Sequence, residues 1–529
     1  METISGNREN FQALVHRAAR LAAAGQWERA AVQAQIAARF AWTDHTGLFA
    51  SQELEEVLGL IRQSVEPPPP RFLARTSNVR RVVHVATQVY GTGGHTQSIA
   101  HWIRQDQASR HELVVTRQGG SDVPDKIASC LPDSEALTLL DRMAAGLVHR
   151  AAVLRRMVAS ADVAVVHAHP HDVVPTLALG LPGLPPAVFV NHADHVFWQG
   201  TSAAGVVLCL RESGRDLAVN RRGVEAGRCV VANRPLELHG LTGPAATRRS
   251  ALRSDLGARE TDFVVVSAAA GSKYDPVGTD SLIGLFQAFL VERPGSRLIV
   301  AGPDPTGIWS RAAEATGGRI QALGRLPNIS TLLGAADAYV DSFPFASLTS
   351  LLEAGSHGLP LVTFRGHPED CAVLGSDSPG LDGLLLAPTG SAEFVSVLKM
   401  LSDSPSFRAT RGAAVRKAII DTHSPSAWQE TVRGVYAAAG RAGSTPIVTG
   451  PTPWRNGPLD RMVAKVQLET GYAGMGAAVA DSLPFLAAPE RVSRWADLRV
   501  SQSLSPTQLL PDRFRCWLSD ARRRFTPAS

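Results

Sequence analysis

Apolar residues near the start of the chain recur at helical spacing from Phe11 to about Ile61. Residues 21–30 place small side chains and Trp27 where two antiparallel helices would contact each other. The pattern predicts a helical hairpin over 1–66. A single hairpin cannot bury its own apolar face, so we expect it to pack against the body of the protein rather than to dock a partner. Consecutive prolines at 67–70 then predict a stiff linker over 67–80.

Short apolar runs separated by helical stretches follow this linker, which is the βαβ pattern of parallel sheets. The first series predicts an α/β domain over 81–240, with strands at 81–87, 113–116, 136–140, 162–166, 187–190, 206–210 and 230–232. A second series predicts an α/β domain over 260–439, with strands at 263–267, 298–301, 320–323, 338–340, 361–364 and 384–386. A linker and further helical patches form an extension over 440–529, to which the sequence assigns no role.

Composition agrees with a large globular protein. A chain of 529 residues is too long for one hydrophobic core, and 44% hydrophobic with 19% charged residues excludes wholesale disorder. The net charge of +5 comes from interspersed basic and acidic residues without a long basic run, so nothing supports nucleic-acid binding. Five scattered cysteines without a CxxC pair argue against a disulfide framework and a zinc cluster, and favour a reducing compartment.

Two segments of the chain bear on whether the protein is exported or spans a membrane. The first residues lack the layout of a signal peptide, and the apolar stretch 177–190 is too short and too interrupted by proline and glycine to span a bilayer. We therefore expect a cytoplasmic protein without a transmembrane segment, for which peripheral membrane contact stays open.

A glycine-rich turn lies between the first strand and a helix predicted from Ile99 onward. Backbone amides at such a turn favour anions, which makes Gly93 and Gly94 candidates for binding a phosphorylated donor. The dinucleotide fingerprint needs a third glycine where Thr96 stands, and the second strand ends at Arg117 instead of an acidic residue. NAD binding is therefore disfavoured.

Histidines follow three strands that should end at one sheet edge. His95 follows the first strand, alternating histidines at 167–171 follow another, and His192 and Asp194 follow the next. These loops are irregular and no Asp-x-Asp motif accompanies them, so we do not expect a metal site. A neutral histidine suits a general base at physiological pH. His95 is the first candidate for that role, and His192 with Asp194 is the second.

The second domain carries a predicted site for a phosphorylated ligand, because its first strand leads into Gly271 and Lys273. Lysine supplies a compact cation for a diphosphate, and the chain contains only five lysines. These two residues are therefore candidates for donor binding.

A later strand-loop-helix segment supplies further candidates. Ser347 is the expected N-cap of the helix, which would direct the amides of Leu348 and Thr349 towards phosphate. Glu353 lies farther along the same helix, where its carboxylate could accept hydrogen bonds from both ribose hydroxyls.

Several segments resemble known glycosyltransferases. The turn at 91–95 resembles the loop of the bacterial transferase that adds N-acetylglucosamine to the lipid-linked peptidoglycan precursor. The strand-then-histidine pattern and the segment 353–360 resemble glycosyltransferase family 4, and the loop 324–328 looks like the base-contacting loop of such enzymes, which makes Arg325 a donor-binding candidate. The Ser-Phe-Pro-Phe run at 342–345 resembles O-GlcNAc transferase-like enzymes, and the N-terminal hairpin resembles a tetratricopeptide unit.

These resemblances imply an α/β protein of the GT-B fold, with two facing Rossmann-like domains, the donor held mainly by the second and the acceptor by the first. They imply metal-independent transfer of a hexosyl or N-acetylhexosaminyl group from a nucleotide-diphosphate sugar, most simply a UDP-sugar, with no separate cofactor. The acceptor stays open between a protein, a lipid-linked glycan and a small molecule.

Two departures from these families affect the expected mechanism. Ser98 replaces a family proline, which puts the lipid-diphosphate acceptor in question, and Phe345 replaces the first of two glutamates typical of retaining enzymes, which favours inversion. Three alternatives remain: a phosphorylase or epimerase on the same fold, a non-catalytic nucleotide-sugar-binding scaffold that uses the hairpin for partners, and a nicotinamide oxidoreductase.

Overall fold

The structure is a computed structural model. It describes residues 2–69, 79–91, 94–143, 146–236, 246–275, 280–444, 447–469 and 474–525. The chain divides into two compact units. The first unit comprises Met1–Leu210, Gly214–Ala232 and Gln429–Ser529, and the second comprises Arg211–Ser213 and Asn233–Trp428.

The N-terminal region contains three helices where the sequence predicted a hairpin of two: α1 (Glu2–Ala23), α2 (Trp27–Thr43) and α3 (Gln52–Ser64). The third helix joins this region to the rest of the first unit through buried polar contacts. The Glu55 carboxylate accepts hydrogen bonds from the backbone amides of Gly200 and Ser202 at 2.5 and 3.1 Å. Arg62 donates to the carbonyl oxygens of Thr176 and Ser202 at 2.8 and 3.2 Å. These helices therefore form part of the body of the first unit.

The first unit contains a parallel sheet of seven strands in the order β3-β2-β1-β4-β5-β6-β7. The strands are β1 (Arg80–Ala86), β2 (Ser109–Val115), β3 (Leu137–Leu139), β4 (Val163–His167), β5 (Ala187–Asn191), β6 (Val206–Cys209) and β7 (Cys229–Val231). The helices along this part of the chain are α4 (Gly94–Gln105), α5 (Asp125–Ala128), α6 (Leu140–Met143), α7 (Leu147–Val158), α8 (Val173–Ala178) and α9 (Glu212–Arg222). All seven predicted strands are present, with ends shifted by a few residues.

The second unit contains a parallel sheet of five strands in the order β10-β9-β8-β11-β12. The strands are β8 (Phe263–Ala268), β9 (Ser296–Ala301), β10 (Ile320–Ala322), β11 (Ala338–Val340) and β12 (Leu361–Val362). The helices are α10 (Ala246–Asp255), α11 (Leu282–Glu292), α12 (Ile308–Ala315), α13 (Ser330–Ala335), α14 (Leu348–Ser356), α15 (Ser391–Asp403) and α16 (Pro405–His423).

The sixth strand predicted for this domain, at 384–386, is wrong. Only Leu386 forms a bridge to Val362, whereas the amides of Leu384 and Leu385 donate to the carbonyl of Leu381. A local turn therefore takes the hydrogen bonds that a sixth strand would need.

The C-terminal part of the chain forms α17 (Pro425–Ala442), α18 (Pro458–Glu469), α19 (Met475–Ser482), α20 (Ala488–Leu498) and α21 (Asp512–Phe525). The sequence assigned no role to the extension over 440–529, but the structure places it in the first unit. Asp481 of α19 pairs with Arg117 at 3.1 Å, and Asp512 of α21 pairs with the buried Arg150 at 3.2 Å. Among the described residues, no helix is long and apolar enough to cross a membrane.

Candidate functional site

In the first unit, the glycine-rich turn leads directly into α4. The helix begins at Gly94, not near Ile99 as predicted, so Gly94 and His95 lie in its first turn. Gly93 lies outside the described residues. Thr96, which replaces the third glycine of a dinucleotide fingerprint, is fully buried, and its hydroxyl accepts a hydrogen bond from the Tyr90 amide at 2.9 Å. Thr96 therefore stabilises the turn through its side chain, at a position where the dinucleotide fingerprint requires a glycine.

The orientation of the His95 ring is set by a backbone group. Its Nε2 lies 2.6 Å from the carbonyl oxygen of His167, which can only accept a hydrogen bond. The proton of the neutral ring is therefore on Nε2, and Nδ1 carries the lone pair. Nδ1 is buried and has no hydrogen-bond partner in the described part of the chain. Burial lowers the pKa of His95, so the ring is neutral at physiological pH and can accept a proton through Nδ1.

His192, the second predicted base, lies next to His95, with ring centroids 4.7 Å apart. Its Nδ1 donates to the carbonyl oxygen of Val190 at 3.1 Å. The structure therefore brings together two of the three predicted catalytic residues, His95 in the first turn of α4 and His192 on a loop, at the carboxyl ends of parallel strands, where α/β proteins bind ligands.

Asp194 has contacts typical of a structural carboxylate. It is buried, and its Oδ1 lies 3.3 Å from Nδ1 of His195. Gly214 leaves room for this carboxylate because it has no side chain. A Cβ on Gly214 would lie only 2.9 Å from Asp194 Oδ2. The buried Arg222 donates to the Asp194 carbonyl oxygen at 2.8 Å. These contacts favour a role in packing for Asp194, and leave His95 as the better candidate base.

A chain of buried histidines, which the sequence analysis did not identify, lies behind His95. His111 Nε2 donates to the carbonyl oxygen of Asp106 at 2.8 Å. Its Nδ1 must then accept from His84 Nε2 at 3.0 Å, and His84 Nδ1 must accept from His167 Nε2 at 3.1 Å. One carbonyl thus fixes the tautomers of three rings. The pKa values of His84 and His167 lie well below the ordinary value because both rings are buried, so these two rings are neutral.

The histidine chain ends at Nδ1 of His167, which is buried without a hydrogen-bond partner among the described residues. The chain holds His167 in place, and the His167 carbonyl in turn orients His95. The feature of the sequence that could have revealed this histidine chain is His84, a polar residue in the middle of a strand that is otherwise apolar from Val82 to Ala86.

The histidine-rich edge does not form a metal centre within the described ranges, where no group of three or more histidine, cysteine or acidic residues could hold an ion. His169 and His171 contact aromatic rings instead. His171 stacks on Trp42 with centroids 5.1 Å apart, and His169 stacks on Tyr90 at 6.0 Å.

In the second unit, a buried carboxylate shapes the loop between β11 and α14. Asp341 accepts hydrogen bonds from the amides of Ser342 and Ser347 at 2.8 and 2.9 Å, and a further one from the hydroxyl of Ser376. Its burial raises its pKa. Lys273 Nζ donates to the carbonyl oxygen of Ala346 at 2.8 Å in the same loop. Sequence reasoning identified Lys273 and missed Asp341, which is the first residue after a buried strand.

The amino end of α14 lies next to this loop. Ser347 is the residue before the helix, as predicted, but its hydroxyl does not cap the helix and lies 3.3 Å from that of Ser350. The amides of Leu348 and Thr349 are therefore not satisfied by that side chain. Arg234 donates to the hydroxyl of Thr349 at 3.0 Å, which adds a second cation that the sequence analysis missed.

The remaining predicted donor residues lie along the carboxyl ends of the same sheet. Glu353 is half-buried on α14, accepts a hydrogen bond from Ser330 at 3.3 Å, and has a pKa raised by burial. Gly271 begins a short 3-10 helix that contains Lys273. Arg325 follows β10 and is exposed.

Comparison with known proteins gives structural matches. No known family profile matches the chain, and no curated sequence matches it. Anabaena HepE in complex with UDP and glucose is 15% identical, with a TM-score of 0.51 over 67% of this chain and 99% of HepE. A mutant O-GlcNAc transferase from Thermobaculum terrenum is 16% identical, with a TM-score of 0.51 over 82% of this chain and 85% of that enzyme. A glycosyltransferase from Rickettsia africae is 9% identical, with a TM-score of 0.54 over 69% and 100% of the two chains.

These proteins share with this chain its parallel sheets and flanking helices. The identities are too low to carry over an activity, so the likeness is one of architecture. With its two parallel sheets and these structural neighbours, the chain has the GT-B fold of glycosyltransferases.

Proposed function

We propose that the protein is a glycosyltransferase that moves a sugar from a nucleotide-diphosphate sugar, most simply a UDP-sugar, to an acceptor hydroxyl or amide. The observation that carries this proposal is the position of Lys273, whose ammonium group lies against the loop that precedes α14. An ammonium group beside the amides of a helix amino end is suited to a diphosphate. HepE, which shares the fold, has been solved with UDP and with UDP-glucose.

Bond cleavage requires that the charge developing on the leaving diphosphate be stabilised. Lys273, Arg234 and the amides of Leu348 and Thr349 supply fixed positive groups for this charge. These groups can do so without a metal ion, so we propose a metal-independent enzyme that needs no cofactor besides its donor. Glu353 would accept hydrogen bonds from the ribose hydroxyls, and Arg325 would contact the base.

The acceptor must lose a proton as its nucleophilic atom attacks the sugar. His95 is suited to take this proton on Nδ1, because Nε2 is engaged with the His167 carbonyl and the ring is neutral. This proton transfer is compatible with three kinds of acceptor: a protein side chain, a lipid-linked glycan or a small molecule. Phe345, where a retaining enzyme usually has a glutamate, is buried, and we propose transfer with inversion.

A nucleotide-binding experiment tests the donor assignment. Thermal shift with UDP, GDP and NAD should show stabilisation by UDP alone, and UDP at a hundred times its Kd should add about 2.7 kcal/mol to the free energy of unfolding. NAD stabilisation without UDP stabilisation would refute the proposal in favour of an oxidoreductase.

Product analysis then distinguishes the remaining alternatives on this fold. A transferase or donor hydrolase releases UDP from a UDP-sugar, a phosphorylase uses inorganic phosphate, and an epimerase returns an isomeric UDP-sugar. Tight UDP binding with no turnover of any UDP-sugar would favour the non-catalytic scaffold.

A further inference from the structure

A cavity of about 320 Å³ opens within the first unit, at the lower end of the usual size range of ligand sites. Its walls come from the loops that follow β1, β2 and β4 and from α2, α19 and α21. The N-terminal and C-terminal helices, which had no functional assignment from the sequence, therefore complete this cavity. The residues that matter for its chemistry are Arg39, Trp42, Arg117, His169, Asp481 and Asp512.

The two carboxylates that line the cavity already have cationic or donor partners. Asp481 lies 3.1 Å from Arg117 through Oδ1, whereas its Oδ2 lies 3.4 Å from His171 and is buried without a hydrogen-bond partner among the described residues. Asp512 lies 3.1 Å from Arg117 and 3.2 Å from Arg150. Asp512 therefore has little capacity to accept hydrogen bonds from a ligand, and Asp481 keeps one oxygen that can accept.

Arg39 is less well satisfied than either carboxylate. Its side chain is only 12% exposed, and its closest charged partner, Asp481, is 3.9 Å away. The guanidinium stacks on the ring of Trp42 at 4.6 Å, donates no hydrogen bond to any residue that the structure describes, and buries its Nη1 without a partner. A guanidinium carries five donors, and leaving a buried charged donor unpaired is costly. The nearest charged acceptor, Asp481 Oδ2, is too far away for a hydrogen bond, so an acceptor bound in the cavity would supply the partners that Arg39 lacks.

The charges around the cavity point to the sign of that acceptor. Arg39, Arg117 and Arg515 line it together with Asp481 and Asp512, and Arg150 lies behind Asp512. Three guanidinium groups thus line the cavity with two carboxylates, and a bound anion would restore the balance.

The cavity lies close to the candidate base. His169 lines the cavity, and its ring centroid is 6.2 Å from that of His95. Tyr90 also lines the cavity and has its hydroxyl 3.1 Å from His169 Nε2. A ligand that contacts His169 in this cavity therefore lies close to His95.

We propose that this cavity binds the carboxylate or phosphate group of a sugar-sized anionic acceptor, with Arg39 as its main partner. The acceptor role rests on the glycosyltransferase function proposed above, whereas the binding of the anion does not. Trp42 holds Arg39 in position by stacking.

Isothermal titration of the full chain with D-glucuronate, glucose 6-phosphate and glucose tests the proposal. At least one of the two anions should bind with an Arg39-dependent affinity, and glucose should bind much more weakly. Arg39→Gln should weaken anion binding by about tenfold or more, because it removes a charged hydrogen-bond donor. Arg39→Lys should retain part of the affinity, because it retains the charge. Arg29→Gln, on the same helix but 51% exposed, is the matched control and should bind like the wild type.

Equal binding of glucose and the anions, absence of binding of both anions, or unchanged anion affinity in Arg39→Gln would each overturn the proposal. Binding of glucose 6-phosphate alone identifies a phosphate site, and binding of glucuronate alone a carboxylate site. UDP affinity is measured in parallel, because it should be unchanged in Arg39→Gln if the variant is folded. Arg39-dependent anion binding in a protein that does not bind UDP would refute the glycosyltransferase function while leaving the anion site in place.

Discussion

His95 donates its Nε2 proton to the backbone carbonyl of His167 at 2.6 Å, which leaves Nδ1 as the basic atom of a neutral ring. A backbone carbonyl can only accept a hydrogen bond and does not titrate, so the tautomer of His95 does not depend on the protonation of its partner. His167 is held in turn by His84, at 3.1 Å. The candidate base is thus oriented by the sheet itself rather than by a neighbouring carboxylate.

The first prediction concerns this base. His95→Ala should slow sugar transfer by about 10²–10⁴-fold, the usual contribution of a positioned general base, and leave UDP affinity nearly unchanged. Since burial lowers the pKa of His95 below 6.5, the loss of wild-type transfer on acidification should have its midpoint below pH 6.5. Steady-state kinetics and UDP titration measure these effects. Loss of UDP binding with normal saturated turnover would instead assign the glycine-rich turn to the donor and the base to His192.

A second prediction addresses the cation of the donor site. Lys273→Ala should weaken UDP binding and slow both transfer and donor hydrolysis, because the leaving diphosphate is less stabilised in either reaction. Lys399→Ala is the matched control, since Lys399 pairs with Glu292 on the surface of the same unit. Equal effects of the two substitutions would show that Lys273 has no specific part in binding the diphosphate.

The third prediction tests the helix carboxylate. Glu353→Gln should weaken UDP binding by about 1.5–3 kcal/mol, the range for a hydrogen bond to a charged group, with little change in thermal stability. Glutamine keeps the shape and removes the charge. Glu393→Gln, at an exposed position of the same unit, serves as the control. If calorimetry gives the same UDP affinity for Glu353→Gln and the wild type, Glu353 only packs α14.

A fourth prediction follows from the buried histidines. The folded-state pKa values of His84, His167 and His169 lie well below 6.5, so only well above pH 6.5 do both the folded and the unfolded chain leave them unprotonated. Below pH 6.5 the unfolded chain binds protons that the folded chain does not, and stability should fall by up to about 1.4 kcal/mol per pH unit for each such histidine.

Urea unfolding at a series of pH values measures this slope. His84→Asn should reduce the slope, whatever its effect on stability at neutral pH, whereas His149→Asn at an exposed position should leave it unchanged. A slope insensitive to His84 would mean that this ring titrates alike in the folded and unfolded chains.

The fifth prediction is that transfer survives EDTA. The candidate donor site offers an ammonium group, a guanidinium and helix amides for the diphosphate. Activity with and without chelator, measured on a UDP-sugar, provides the check. Complete loss that Mn²⁺ or Mg²⁺ restores would contradict metal independence.

The sequence by itself determined the two series of parallel strands and the positions of the main candidate groups. Alternation of short apolar runs with helical stretches depends on local spacing, so all seven strands of the first sheet and five of the second were predicted. Lys273 and Glu353 were found because they occur at a strand end and on a helix, in patterns that local sequence displays. The predicted strand at 384–386 failed because a turn at Leu381 uses its hydrogen bonds, which apolar character alone does not reveal.

Only the tertiary structure decided which distant residues meet. The chain from His111 through His84 to His167 joins three strands, and the cavity at Arg39 joins α2 to helices more than 400 residues away in the sequence. Asp341 shapes the loop between β11 and α14 through a hydroxyl at Ser376 and amides of its own loop. Such contacts depend on how strands and helices pack in three dimensions. The periodicity of the sequence does not predict which buried polar groups will be hydrogen-bond partners.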